Sequence, residues 1–138
     1  MVRQRVRPRP ELGNLCTVDG IGPILAWTIL LEVGDIRRFR GVGPFASYCR
    51  CVDARRLTNG KKKGENNGKN GNRYLAWAFV EAAHFAVRYN PKIQRYYQRK
   101  QAKKNGAVAT KAVAHKLARA CYYILRDGVP FDVDRAFA

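Results

Sequence analysis

Acidic side chains are scarce in this chain: ten Asp and Glu stand against 27 Lys and Arg in 138 residues, a net charge of +17. The ten are scattered singly, so the sequence offers no carboxylate cluster of the kind a metal-dependent nuclease needs. Histidine is nearly absent too. His84 and His115 each stand alone in helical patterns and bring no second ligand or base. Four cysteines occur, Cys16, Cys49, Cys51 and Cys121, with no CxxC spacing and no His pair, which argues against a zinc site. They read instead as free thiols filling core positions, which fits a reducing cytoplasm, as does a start without a signal peptide. Long apolar runs are missing as well. The longest, Ile24–Val33, is about half a bilayer span and contains Glu32, so a membrane partner is not expected.

Apolar residues still make up 46 % of the chain, enough for one folded domain of this length. An imbalance of +17 repels itself unless a polyanion neutralises it, and nucleic acid is the commonest one. The front, "MVRQRVRPRPELG", alternates Arg3, Arg5, Arg7 and Arg9 with Pro8 and Pro10 nearby. Residues 1–14 therefore read as a flexible basic arm or a linker stub. Residues 15–128 carry the helical domain, and 129–138 read as a tail without a stable element.

Helical signals dominate, and no extended strand pattern is present. Pro23 and Gly34 bracket a helix over Ile24–Val33, and a second is expected over Pro44–Val52. "NRYLAWAFVEAAHFAVRYN" predicts a long helix with two apolar stripes. One is Leu75, Phe79, Ala82 and Ala86; the other is Trp77, Val80, His84 and Val87. Two stripes imply a central, mostly covered element. Asn90-Pro91 ends it and opens a basic helix. The last helix, closing at Gly128, turns Val113, Leu117, Cys121 and Ile124 inward and Lys111, Arg119 and Arg126 outward. The fold class is all-α, with five or six helices, helix-hairpin-helix turns and one long basic Gly/Asn-rich loop.

Three features point to phosphate. The first is an echo, "GIGP" at Gly20 and Gly22 against "GVGP" at Gly41 and Gly43. Each glycine turn is expected to leave the amides of the next helix open to a phosphodiester, an arrangement similar to DNA-binding helix-hairpin-helix motifs that grip backbone. The second is the loop from Arg55 to Arg73, with four glycines, five asparagines and seven basic residues. Its cations are Arg55, Arg56, Lys61, Lys62, Lys63, Lys69 and Arg73. The third is Lys92, Arg95, Arg99 and Lys103, one face of the basic helix, with no acid on that helix to balance them. Tyr96 and Tyr97 among them either stack on bases or pack inward.

Taken in order, "GIGPILAWTILLEVGDIRRF", "FASYCRCVDARRLTNGKKKG", "KNGNRYLAWAFVEAAHFAVRYNP", "YYQRK" and "AHKLARACYYILRDG" resemble the C-terminal domain of insertion-sequence transposases of the 110/116/902 group. These are DNA recombinases guided by a structured bridge RNA. The resemblance runs from about Leu15 to Asp127. It implies DNA as partner, with guide RNA, a RuvC-like N-terminal domain and further copies of the chain as additional ones, in a bacterial, nucleoid-associated setting. It places divalent metal (Mg) on the RuvC-like domain and none on these residues. It also implies a nucleophilic serine where this chain has Thr58, whose hydroxyl would form a covalent link to DNA. In this chain on its own, Thr58 reads first as a turn residue bonded to its own backbone, and catalysis by the isolated chain is not expected. The expected function is the DNA-binding part of a transposase without its catalytic N-terminal domain; a non-catalytic architectural DNA- or RNA-binding protein is the alternative.

Overall fold

The computed structural model describes residues 10–51 and 71–138. Among them are seven α-helices and no strand: α1 (Pro10–Leu15), α2 (Pro23–Val33), α3 (Val42–Tyr48), α4 (Arg73–Tyr89), α5 (Pro91–Lys103), α6 (Gly106–Asp127) and α7 (Val133–Ala136), with a 3-10 turn at Ile36–Arg38. None of these helices is long and apolar enough to cross a membrane.

Local chemistry sets most helix ends. Asn72 accepts hydrogen bonds from the amides of Tyr74 and Leu75 at the start of α4. Asn90 does the same for Lys92 and Ile93 at the start of α5, where Pro91 needs no amide partner, and Asn105 accepts from Val108 at the start of α6. Gly128 closes α6 in the left-handed conformation.

The alanine-rich α6 is the central element, packed against α1, α3, α4, α5 and α7. Its Val113, Leu117, Cys121 and Ile124 are buried as the pattern predicts, with Lys111, Arg119 and Arg126 outside. The long helix α4 is less covered than its two stripes imply. Leu75, Phe79, Ala82 and Ala86 are buried, but Val80 and His84 are exposed and Trp77 is 50 % exposed. One apolar stripe suffices to seat α4 on α2, α5 and α6, and of the second Val87 alone packs against the core.

Both ends of the chain carry more structure than the sequence suggests. The helical part begins at Pro10, inside the expected arm, because Leu15 is fully buried and Leu12 packs beside it. The tail closes with α7, whose start is capped by Asp132, and buries Phe137 against the Tyr96 ring, edge to face at 5.2 Å between centroids. Helix α3 spans Val42–Tyr48 rather than Pro44–Val52, so Gly43 and Pro44 lie in its first turn. Of the thiols, Cys49, Cys51 and Cys121 are core residues, whereas Cys16 is exposed.

Candidate nucleic-acid interface

Helix α5 gives the clearest basic surface. Arg95, Arg99 and Lys103 are exposed. Lys92, expected with them, is partly covered and paired to Asp134 of α7 at 3.0 Å. The acid that balances it lies 42 residues away, out of reach of any reading of the helix alone. Tyr96 and Tyr97 are both half-buried. Tyr96 packs on Phe137, and burial raises its phenol above its ordinary value. Around its ring stand Arg99 at 5.9 Å, Lys100 at 5.5 Å and Lys116 of α6 at 5.5 Å. The half-buried ring therefore packs inward on Phe137, with the cations gathered around it.

The two glycine turns are alike in sequence and different in structure. Gly20 has φ +100 and lies against the backbone of α4; a Cβ there would sit 2.4 Å from the carbonyl oxygen of Ala82. That close approach makes the first corner a packing device. Gly22, two residues on, is exposed at the N-cap of α2, with no side chain capping the amides beyond it. In the second turn Gly41 is the N-cap, in extended backbone that any residue adopts, and Gly43 is already helical.

Thr58, Arg55, Arg56, Lys61, Lys62, Lys63 and Lys69 lie outside the described residues, as does most of the expected Gly/Asn-rich loop. The residues flanking that segment do meet. The Asn72 amide donates to the Tyr48 carbonyl at 2.6 Å, and a Cβ on Gly71 would lie 2.8 Å from the same oxygen. The Asn72 side chain donates to Glu32 at 2.7 Å and to the Tyr48 hydroxyl at 3.3 Å while capping α4. One asparagine thus ties α2, α3 and α4 together where the polar segment leaves and returns. The hydrogen bond from Asn72, with another from Arg38, lowers the Tyr48 phenol from its ordinary value. Arg38 also lies 4.8 Å from the Tyr48 ring centroid. Arg50, before the segment, takes a left-handed backbone at φ 58. Arg73, the one cation of the loop within the described residues, is exposed and rests on Tyr74, 5.1 Å from its ring centroid.

The structure thus brings together Arg95, Arg99 and Lys103 on α5. Gly22 and Arg73 are exposed at the starts of α2 and α4, and Gly20 is withdrawn into packing. Sequence reasoning missed Asp134, Phe137 and Asn72. The asparagine could have been found, since Asn before a helical run is a strong capping signal. Among the described residues no three of His, Cys, Asp and Glu come together where a metal ion could sit. Of the two histidines, His84 is exposed and His115 is half-buried.

Comparison with known proteins agrees with these observations. A probable family 20 transposase of Pseudomonas aeruginosa is 29 % identical over 128 residues, covering 90 % of this chain and 38 % of the relative. An insertion element IS110 uncharacterized 43.6 kDa protein of Streptomyces coelicolor is 27 % identical over 119 residues, covering 86 % of this chain and 29 % of the relative. The chain therefore spans well under half of the length of these curated relatives. No solved structure matches it. The family model described as transposase IS116/IS110/IS902 matches residues 12–98, more than half of the chain. The chain belongs to the IS116/IS110/IS902 transposase family.

Proposed function

We propose that this chain is the DNA-binding C-terminal part of a transposase, holding the sugar–phosphate backbone on α5. The observation that carries this reading is the exposed row of Arg95, Arg99 and Lys103, with no carboxylate partner among the described residues, on a chain of net charge +17. Cations in such a row meet phosphates and leave base edges unread, so the grip positions a strand without choosing its sequence. The exposed corner at Gly22 and the cations of the 55–73 stretch are the further contacts in this proposal.

In the full reaction, the Thr58 hydroxyl would attack a phosphodiester. A bond from its oxygen to phosphorus would form as the strand's leaving oxygen departs with the proton. The acids that hold Mg for such a step belong, in this proposal, to a RuvC-like domain. The described residues offer no carboxylate cluster that fits the ion. Guide RNA and further copies of the chain are the remaining proposed partners.

The test is binding of duplex DNA as a function of salt. Neutralising Arg95, Arg99 and Lys103 to Gln should flatten the log–log slope by about 2.7, at about 0.9 per phosphate contact. Unchanged slope and affinity would end the α5 reading. RNA competing as well as duplex would favour an RNA-binding basic protein instead. A denaturation-resistant protein–DNA adduct formed with a relative's N-terminal domain and metal, and abolished by Thr58→Ala, would establish the nucleophile.

A further inference from the structure

The outer face of α6 carries a column that neither the sequence motifs nor α5 account for. Lys116, Arg119, Tyr123 and Arg126 follow one another at spacings of three, four and three, which keeps them on one side of the helix. Facing that column, the C-terminal segment brings Phe131 and Arg135, and a cavity of about 430 Å³ separates the two walls. That volume is in the range of small-molecule and cofactor pockets.

The charge of the lining is lopsided. Four cations face Asp127 and Asp132. Asp127 is taken up by Arg126 at 2.8 Å, and a carboxylate oxygen of Asp132 accepts from the amides of Asp134 and Arg135. Among the described residues Arg119 and Lys116 have no carboxylate partner. The aromatic side is equally specific. Tyr123 is 37 % exposed, with the Tyr122 ring edge-on at 5.3 Å and the Arg126 guanidinium 4.8 Å from its centroid. Phe131 is held by its amide, which donates to the Thr17 hydroxyl at 2.8 Å. An inorganic anion would use the cations and ignore the rings. An apolar ligand would use the rings and leave the guanidinium groups idle. A nucleoside phosphate uses both.

We propose that this cavity is a nucleotide subsite, in which one unpaired base of a nucleic-acid strand stacks on Tyr123 while its flanking phosphates meet Arg119, Arg135 and Lys116. The strand rather than a free nucleotide follows from continuity with α5. Lys116 lines the cavity and also stands 5.5 Å from the Tyr96 ring. The helix α7, one wall of the cavity, is tied to Lys92 of α5 through Asp134. In this proposal a backbone lying on α5 continues past Lys116 to the cavity. The inference deepens the proposed nucleic-acid function and rests on it.

The experiment uses the full chain and a short single-stranded oligodeoxynucleotide carrying photoreactive 5-bromouracil, with cross-linked peptides identified by mass spectrometry. Cross-links at Tyr123 or Phe131 are expected, and Tyr123→Leu should weaken single-strand binding by about fivefold or more, the scale of one lost stacking contact. Blunt duplex affinity should change by less than about twofold in the same variant. Arg119→Gln, at an exposed position, serves as the second variant and should weaken single-strand binding in the same direction. Cross-links confined to other residues, or unchanged single-strand binding in both variants, would overturn the subsite. Adenosine monophosphate displacing the oligonucleotide at lower concentration than the oligonucleotide itself binds would replace the strand by a free nucleotide. The α5 triple variant separates the two readings: if it leaves duplex binding intact while Tyr123 still cross-links, the duplex reading fails and the subsite stands. Loss of duplex binding in the triple variant, with no cross-link at Tyr123 or Phe131 in the unsubstituted chain, has the opposite meaning.

Discussion

At Gly20 a single missing atom sets how closely two helices approach. Its φ of +100 strains any other residue, and an added Cβ would press on the Ala82 carbonyl at 2.4 Å and the Ala86 amide at 2.8 Å. Gly20→Ala should therefore cost about 2–4 kcal/mol in urea unfolding, combining left-handed strain with overpacking. Gly22→Ala, with nothing within 4 Å and φ −91, should stay within about 0.5 kcal/mol. Equal costs at both positions would refute the close approach. The sequence treats these glycines as a pair, because the cause of the difference is α4, some sixty residues on. Thiols make the second prediction at this scale. Burial pushes Cys51 from its ordinary value near 9 up to about 12, and raises Cys49 and Cys121 as well. Below pH 9 both folded and unfolded states keep these protons, and the stabilisation is complete. Between about pH 9 and 12 only the unfolded chain releases them, so stability falls by up to about 1.4 kcal/mol per pH unit for each thiol. Urea midpoints across that window should decline less steeply in Cys51→Ala, and a slope unaffected by the substitution would exclude the thiol. In native protein, iodoacetamide should label the exposed Cys16 first.

Among the elements, α5 shows how a neighbour changes the meaning of a charge. Lys92 and Arg99 lie on the same side of the helix, yet Lys92 holds Asp134 and Arg99 has no carboxylate partner among the described residues. Arg99→Gln should lower the salt slope of duplex binding by about 0.9, the effect of one phosphate contact. Lys92→Gln should lower it less and cost at most about 1 kcal/mol of stability, because the pair is largely exposed. Equal slopes for the two variants would mean that Asp134 does not occupy Lys92 in solution. The helices from α4 to α6 are legible in the sequence because their signals are local: Asn72, Asn90 and Asn105 as caps, Pro91 as a start, Gly128 as a stop. Helix α3 is less legible, since its end at Tyr48 depends on the carbonyl being turned toward Asn72 across the polar segment. The second stripe of α4 misleads for a related reason. Periodicity reports which residues share a side of a helix, and the neighbours decide which side is covered. The candidate site divides the same way: the cations of α5 announce themselves by spacing, whereas the column on α6 acquires its opposite wall only when the chain end folds back.

For the molecule as a whole, that returning end closes the core. Phe137 is 2 % exposed, set against Tyr96, and is among the largest fully buried side chains. The stretch around it, "FDVDRAFA", is too short to show a helical period, and its burial depends on a surface built by α5 and α6. Phe137→Ala should cost about 3–5 kcal/mol, the usual effect of emptying a buried aromatic position, out of a total of about 5–15 kcal/mol for a domain of this kind. Phe137→Leu should recover most of that loss, because it keeps much of the apolar volume. The consequence reaches the surface. With Phe137 gone, α7 loses its anchor, so Asp134 no longer holds Lys92 and Arg135 no longer faces α6. Single-strand binding should then fall in Phe137→Ala even under conditions where circular dichroism shows the variant fully folded, while Phe137→Leu binds normally. A cost below about 1 kcal/mol, with binding untouched, would mean that the chain end does not close the core and that the second wall of the cavity is not built from it.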